Sequence, residues 1–289
     1  MQTKTQILRN VIQNPETVVV PGAYNALTAR LIEEAGFPVG YITGAGVSNS
    51  MLGLADIGLL SFKEIVDQIG YIADNTQIPF IADGDTGFGN TLNVFRTVRL
   101  FEKAGAAGIQ LEDQVFPKRC GHFTGKSVIS KDEMVAKIKA AVDARQDDNF
   151  VVVARTDARA VYGLKEAMDR SIAYYEAGAD VIFVEAPTSL EEVETVAQSL
   201  KGYPLLLNMV EGGFTPQISR AQAEQLGFKF VLYANAGLRA SVFALQKVYK
   251  HIKDFGSTAN SIDQLITMDE RNRLTRLSEL RTMEVKFSE

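Results

Sequence analysis

The 289-residue chain has one cysteine, Cys120, and two histidines, His122 and His251. A single cysteine excludes an internal disulfide and a cysteine-built zinc site. Two histidines leave few ligands for zinc or copper, so any resident metal is expected to be a hard cation held by oxygen. No apolar run reaches the roughly 18 residues a membrane-spanning helix needs. The opening MQTKTQ lacks the apolar region of a signal peptide. Basic charge is also short, 30 Lys and Arg against 35 Asp and Glu, for a net charge of −5. Without a basic face to hold phosphodiesters, no nucleic-acid partner is expected. These absences together predict a cytoplasmic protein that works on small molecules, away from membranes.

Hydrophobic residues make up 46% of the chain and charged residues 22%, the balance of an ordinary globular protein. Eight short apolar runs read as buried strands, at 17–21, 39–43, 79–83, 108–112, 150–155, 181–185, 204–208 and 230–233. Most are nearly continuous in Val, Ile, Leu and Phe, as in parallel strands covered on both faces. Helical patterns at 25–35, 62–75, 91–104, 131–145, 164–177, 190–200 and 220–226 lie between them. Ser130 with Glu133, Ser189 with Glu192 and Ser219 with Gln222 have capping-box spacing. Gly36, Gly105, Gly178 and Gly227 stand where helices give way to strands. Eight alternations predict a (β/α)8 barrel, of the TIM type, in the α/β class. An open doubly wound sheet is the alternative, but no Gly-x-Gly-x-x-Gly fingerprint follows the first strand. One domain over 1–289 is expected, with 256–289 as a C-terminal helical extension.

Two connections, 44–61 and 113–130, are long enough to be lids or binding loops, and both follow the C-terminal ends of strands. The residues at those ends form an unusual set. Strand three ends in Asp83-Gly84-Asp85-Thr86-Gly87, strand four in Glu112-Asp113 and strand five in Arg155-Thr156-Asp157. Strand six ends in Glu185 and strand seven in Asn208, with Glu211 just beyond. Asp83 and Asp85 are two apart, which on a strand puts both on one side. With Glu112 they offer an all-oxygen pocket suited to Mg²⁺ or, failing that, Mn²⁺. A plain turn is the other reading of Asp-Gly-Asp-Thr-Gly. Arg155 either meets a substrate carboxylate or alkoxide, or pairs with Glu185 or Asp157. Asn208 either donates to a substrate oxygen or satisfies backbone.

Lys118-Arg119-Cys120-Gly121-His122 sets cations beside the only thiol, which favours thiolate and a reactive role as nucleophile or general acid. Gly121 lets that loop come close to a ligand. Gly44-Ala45-Gly46 could bring backbone N–H groups to a carboxylate, or be an ordinary tight loop. His251, with Lys247 and Lys250, reads as surface.

With the segments 41–46, 52–56, 82–89, 110–114, 118–122 and 154–158 in view, the chain resembles the isocitrate lyase/phosphoenolpyruvate mutase superfamily. The Lys-Arg-Cys-Gly-His loop marks its carbon–carbon lyase branch, and phosphonate-forming members lack that cysteine. Within the branch the chain is similar to the short lyases that act on 2-methylisocitrate or 2,3-dimethylmalate. The resemblance implies a barrel whose last helix is exchanged with a neighbour, in a homotetramer built as a dimer of dimers. It implies that Asp83, Asp85, Glu112 and Asp56 hold Mg²⁺, partly through water. Thr43, Gly44, Ala45 and Gly46 would contact the 2-oxo acid half of the substrate, and Arg155 and Tyr41 its reacting hydroxyl. Cys120 would protonate the departing carboxylate fragment, while Lys118, Gly121, His122, Glu185, Asn208 and Arg239 line the pocket. Departures include Ala45 within the usual triple-glycine loop, Asn25 in place of Asp, and Ala234 in place of Pro or Ser. The implied reaction cleaves a 2-hydroxy acid to pyruvate or another 2-oxo acid. Oxaloacetate decarboxylation or hydrolysis, a carboxyphosphonoenolpyruvate mutase and a non-catalytic 2-oxo acid binding barrel are the alternatives.

Overall fold

A computed structural model describes residues 2–121 and 125–288, the side chain of residue 262 excepted. The chain forms two compact units, one ending at Ala236 and one starting at Gly237. The first opens with helix α1 (Lys4–Gln13) and strand β1 (Val18–Ala23), then α2 (Ala26–Glu34) and β2 (Gly40–Ile42). A short α3 (Gly44–Val47) runs into a π-turn over Ser48–Leu52 before α4 (Phe62–Asn75) and β3 (Phe80–Asp83). Next come α5 (Thr91–Lys103), β4 (Gly108–Glu112), α6 (Lys131–Ala144) and β5 (Val151–Thr156). The unit continues with α7 (Ala158–Tyr162), α8 (Leu164–Glu176), β6 (Val181–Val184), α9 (Leu190–Ser199), β7 (Leu205–Asn208), α10 (Arg220–Leu226) and β8 (Phe230–Tyr233).

Each strand pairs in parallel with the next, and β8 pairs with β1 to close the barrel. The expected (β/α)8 fold is therefore present. Its interior is packed by side chains from successive strands, among them Val20, Tyr41, Ile81, Val153, Phe183 and Leu232, all buried. Closure removes every edge, so each strand can be apolar on both faces without inviting aggregation.

Helix α1 was not among the expected elements. Thr3 caps it, with its side chain taking the Gln6 N–H while the Gln6 side chain takes the Thr3 N–H. Its Leu8 is wholly buried in the barrel core, and its Arg9 reaches Asp180 at 2.5 Å. Truncating so buried a leucine costs about 2–5 kcal/mol, so this helix is part of the barrel's core.

The capping boxes differ from expectation in two of three places. Ser219 and Gln222 form the reciprocal pair, but Ser130 and Ser189 supply only the hydroxyl half. Glu192 turns instead to Arg159, at 2.8 Å, and to the Thr188 N–H. An ion pair to a fork-shaped guanidinium outweighs a single backbone N–H.

The second unit carries most of α11 (Ala236–Phe255), a 3-10 segment (Ala259–Gln264), α12 (Met268–Leu274) and α13 (Leu277–Ser288). Residues 256–289, expected as a C-terminal helical extension, fall within this unit. His251, read from sequence as surface, is half-buried, its ring 4.7 Å from that of Phe255. Among the described residues no helix is long and apolar enough to cross a membrane.

Candidate active site

The C-terminal ends of the strands surround a cavity of about 340 Å³. Tyr41, Thr43, Ala45, Asp56, Asp83 and Lys118 line one side, and Cys120, Gly121, Arg155, Phe183, Glu185 and Asn208 another. Strand alternation explains the inward aim of several. Gln110 and Glu112 are two apart on β4, as are Ala154's neighbours Val153 and Arg155 on β5, so each pair shares a face.

Arg155 is the centre of charge. It forks onto Asp157, with Nε to Oδ2 at 2.9 Å and Nη2 to Oδ1 at 3.1 Å. Its Nη1 meets Glu185 at 2.9 Å, its Nε lies 3.4 Å from Glu112, and its guanidinium sits over the Phe183 ring. The pairings that sequence offered as an alternative to a substrate role are all made, and simultaneously. A guanidinium has five N–H donors, so these contacts leave capacity for a ligand. Burial would raise the Asp157 carboxyl, but Arg155 and Lys126 outweigh it and hold it at about 2. Asp157 is fixed from below as well, since the buried Asp113 accepts its backbone N–H at 2.8 Å. Thr156 and Tyr174 donate to the other Asp113 oxygen.

Asp83 lines the cavity, and Asp85 is buried against Lys118, which also lines it, though strand alternation does not set this pair. β3 ends at Asp83, and Asp85 lies in a turn with φ of 47°. A non-glycine residue held there is strained, and such strain gathers at functional sites. Gly44 donates its N–H to Asp83 Oδ2 at 3.2 Å, and Gly46 donates to Thr43 Oγ1 at 3.1 Å. The loop's glycine amides therefore serve the protein, and Ala45 is the member that lines the cavity. Tyr41 donates to Gln110 Oε1 at 2.9 Å, and Gln110 Nε2 lies 3.4 Å from Asp83 Oδ1. Burial, reinforced by Asp83, pushes the Tyr41 phenol well above its usual range, so it stays a neutral donor.

Lys118 bridges Asp56 at 2.5 Å and Asp85 at 2.9 Å. Burial opposes its charge, but Asp85 and Asp56 more than restore it. Burial pushes Asp85 up to about 6 against the pull of Lys118, and raises Glu112 well above the carboxylate range against that of Arg155. Among the described residues no three acid, histidine or cysteine side chains close into a metal cage. The donor set nevertheless fits Mg²⁺. It is all oxygen, Glu112 Oε1 is buried without a hydrogen-bond partner among the described residues, and carboxylates outnumber nearby cations. Mg²⁺ needs only one or two carboxylates directly and keeps several waters, so a closed cage is not required.

Gly121 presses the Cys120 loop onto the Arg155–Glu185 pair. A Cβ there would stand 2.5 Å from Arg155 Nη2 and from the Glu185 carboxyl carbon. Since Asp157 pins that guanidinium, Gly121→Ala is expected to displace loop or arginine. Its kcat should fall about 100-fold, the scale of a 1 Å misplacement, with little change in melting temperature. Kinetics beside a thermal melt would check this.

His122 lies outside the described residues, and Arg239 belongs to the second unit, in the first turn of α11. Structure adds residues that the sequence reading did not single out. Gln110 was visible as a polar side chain between the apolar Ile109 and Leu111 of β4. Asn235, which accepts from Thr43 Oγ1 at 3.2 Å, and Phe214 also belong to the cavity neighbourhood. Asn25, noted as a departure, caps α2 by accepting the Thr28 N–H.

Fold and site together define a (β/α)8-barrel enzyme whose mouth gathers carboxylates, one fixed guanidinium and a thiol. The phosphoenolpyruvate phosphomutase family model matches residues 8–253, and the chain belongs to that family. It is 45% identical to a 2,3-dimethylmalate lyase of Eubacterium barkeri over 97% of each chain. It is 46% identical to a 2-methylisocitrate lyase of Aeropyrum pernix over 91% of this chain and 84% of the relative. A solved phosphonopyruvate hydrolase in complex with oxalate and Mg²⁺ superposes with a TM-score of 0.90, at 33% identity and 100% coverage of both chains.

Proposed function

We propose that the protein is a Mg²⁺-dependent carbon–carbon lyase. It cleaves a 2-hydroxy di- or tricarboxylate, of the 2,3-dimethylmalate or 2-methylisocitrate type, to a 2-oxo acid such as pyruvate plus a carboxylate. The carrying observation is that the only thiol, Cys120, lines the same cavity as Asp83 and Arg155. Similarity to two lyases supports the same reading.

Asp83, Asp85 and Glu112, with Asp56 across the mouth, would hold Mg²⁺, the ion present in the oxalate-bound hydrolase. When bound, it supplies Lewis-acid stabilisation to the substrate's oxygens. Arg155, held rigid by its carboxylate partners, aims its remaining N–H groups at the oxygen that gains charge as the hydroxyl passes its proton to one of those carboxylates. Tyr41, whose phenol donates to Gln110 beside Asp83, stands near the reacting hydroxyl. Breaking C2–C3 leaves the electron pair on a carboxylate enolate, a poor leaving group. Cys120 delivers the proton that completes the second product. Cys120 and Gly121 line the cavity together, which sets the proton donor where the carbanion forms.

We assign the protein to the cytoplasm, as a homotetramer with an exchanged helix. Supporting this assembly, α11 leaves Val242, Phe243, Tyr249 and Phe255 exposed. The test of function is 2-oxo acid release from 2,3-dimethylmalate, 2-methylisocitrate, isocitrate, oxaloacetate and phosphonopyruvate, each with Mg²⁺. Turnover of a methylated hydroxy acid is expected. Turnover of oxaloacetate or phosphonopyruvate alone would replace the lyase reading with a hydrolase or mutase one.

A further inference from the structure

Outside the residues already given roles, one buried cation stands out. The Lys126 side chain is 2% exposed, as is fitting for a core apolar group and unusual for an ammonium. It donates to the Gly121 carbonyl at 2.5 Å and to Asp157 Oδ1 at 2.8 Å. These two acceptors belong to different parts of the molecule. Gly121 follows Cys120 in the loop between β4 and α6, whereas Asp157 follows β5 and carries Arg155.

The surrounding contacts define what Lys126 adds. At its base the loop is tied by an antiparallel bridge between Gln114 and Val128, with Val115 N–H on Ser127 O at 2.9 Å. Further out, the Gln114 amide brackets Arg119, donating to its carbonyl at 2.8 Å and accepting its N–H at 2.9 Å. Neither tie reaches the reacting groups. Lys126 does, because one Asp157 oxygen receives both Lys126 Nζ and Arg155 Nη2. Asp157 cannot yield easily, since Asp113 holds its backbone. A buried carboxylate shared by two cations, one of them bonded to the thiol's neighbour, gives loop and guanidinium a common anchor.

We propose that Lys126 is a positioning residue that fixes the Cys120–Gly121 backbone against Arg155 by joining Gly121 to Asp157. It touches no reacting atom. Its removal frees the loop end and leaves Asp157 to Arg155 alone, so the thiol and the guanidinium lose their mutual register. The role completes the lyase reading above, but its physical content, the restraint of the half-buried Cys120 by a tether on its neighbour Gly121, stands without any turnover.

The test is Lys126→Met, which keeps length and removes both bonds, beside Lys126→Arg, which keeps a donor. Cys120 is the only cysteine, so iodoacetamide labelling reports its accessibility without ambiguity. Lys126→Met is expected to speed labelling about tenfold, the consequence of a modest shift toward an untethered loop. It should lower kcat about 100-fold while changing KM less, as a misplaced acid does. Lys126→Arg should recover part of both. Labelling and kcat within twofold of wild type in Lys126→Met would overturn the proposal. If wild type turns over none of the substrates, the lyase reading fails and labelling alone decides this one. Should Lys126→Met not fold, acetylation of wild type decides instead. Lys126 is expected to resist an acetylating ester that modifies Lys63, which is 80% exposed. Equal modification of the two would refute the tether.

Discussion

Replacing Cys120 with serine is expected to lower kcat about 1,000-fold, within the range that a positioned proton donor contributes. A serine hydroxyl fits the same space, but its acidity is far lower than a thiol's. The substitution therefore changes the proton donor and little else. Arg155, Asp157 and Glu185 hold one another through ion pairs that do not involve residue 120. Binding of oxalate, the oxo-acid mimic held by the related hydrolase, should accordingly stay within twofold. Steady-state kinetics beside oxalate titration separate the two effects. A kcat loss under tenfold would remove the thiol from the chemistry, and a parallel loss of oxalate binding would make its role one of architecture.

A second large effect is expected for Asp85→Asn. Residue 85 sits at φ 47°, where asparagine is among the few tolerant residues, so the turn should survive. What is lost is one negative charge opposite Lys118 and beside Asp83. Lys118 keeps Asp56 as partner, which limits the cost to folding. The variant should need about 100-fold more Mg²⁺ for half-maximal activity, comparable to loss of a supporting metal contact. Chelator should silence wild type, with full recovery on adding Mg²⁺ back. Unchanged Mg²⁺ dependence in Asp85→Asn would move the cation away from this turn.

Much of the barrel was legible because parallel strands buried on both faces leave unbroken apolar runs. β4 falls at the expected boundaries, 108–112, and α4 and α10 also match. Helix α1 was legible too, through Thr3, Gln6 and the stripe Ile7, Leu8, Val11 and Ile12. A reading that starts from the first strand passes over it. Period-two alternation led to the right mouth for Asp85 by the wrong route, since the chain leaves the strand before that residue. Arg155 illustrates a different limit. Sequence frames salt bridge and substrate contact as rivals, whereas a fork with five donors serves several partners together. Lys126 gave no local signal at all. Its partner Asp157 is 31 positions away, and only closure of the fold brings them within bonding distance.

On the proposed reading, the enzyme cuts a carbon–carbon bond and protonates the carboxylate half within the site. The direct measurement is NMR of 2,3-dimethylmalate and of 2-methylisocitrate incubated with enzyme and Mg²⁺ in D₂O. Cleavage predicts pyruvate and a carboxylate product in equal amounts from one of them, with a single deuterium at the new C–H of the carboxylate and at one face only. Neither acid being cleaved, or deuterium entering both faces equally, would contradict it.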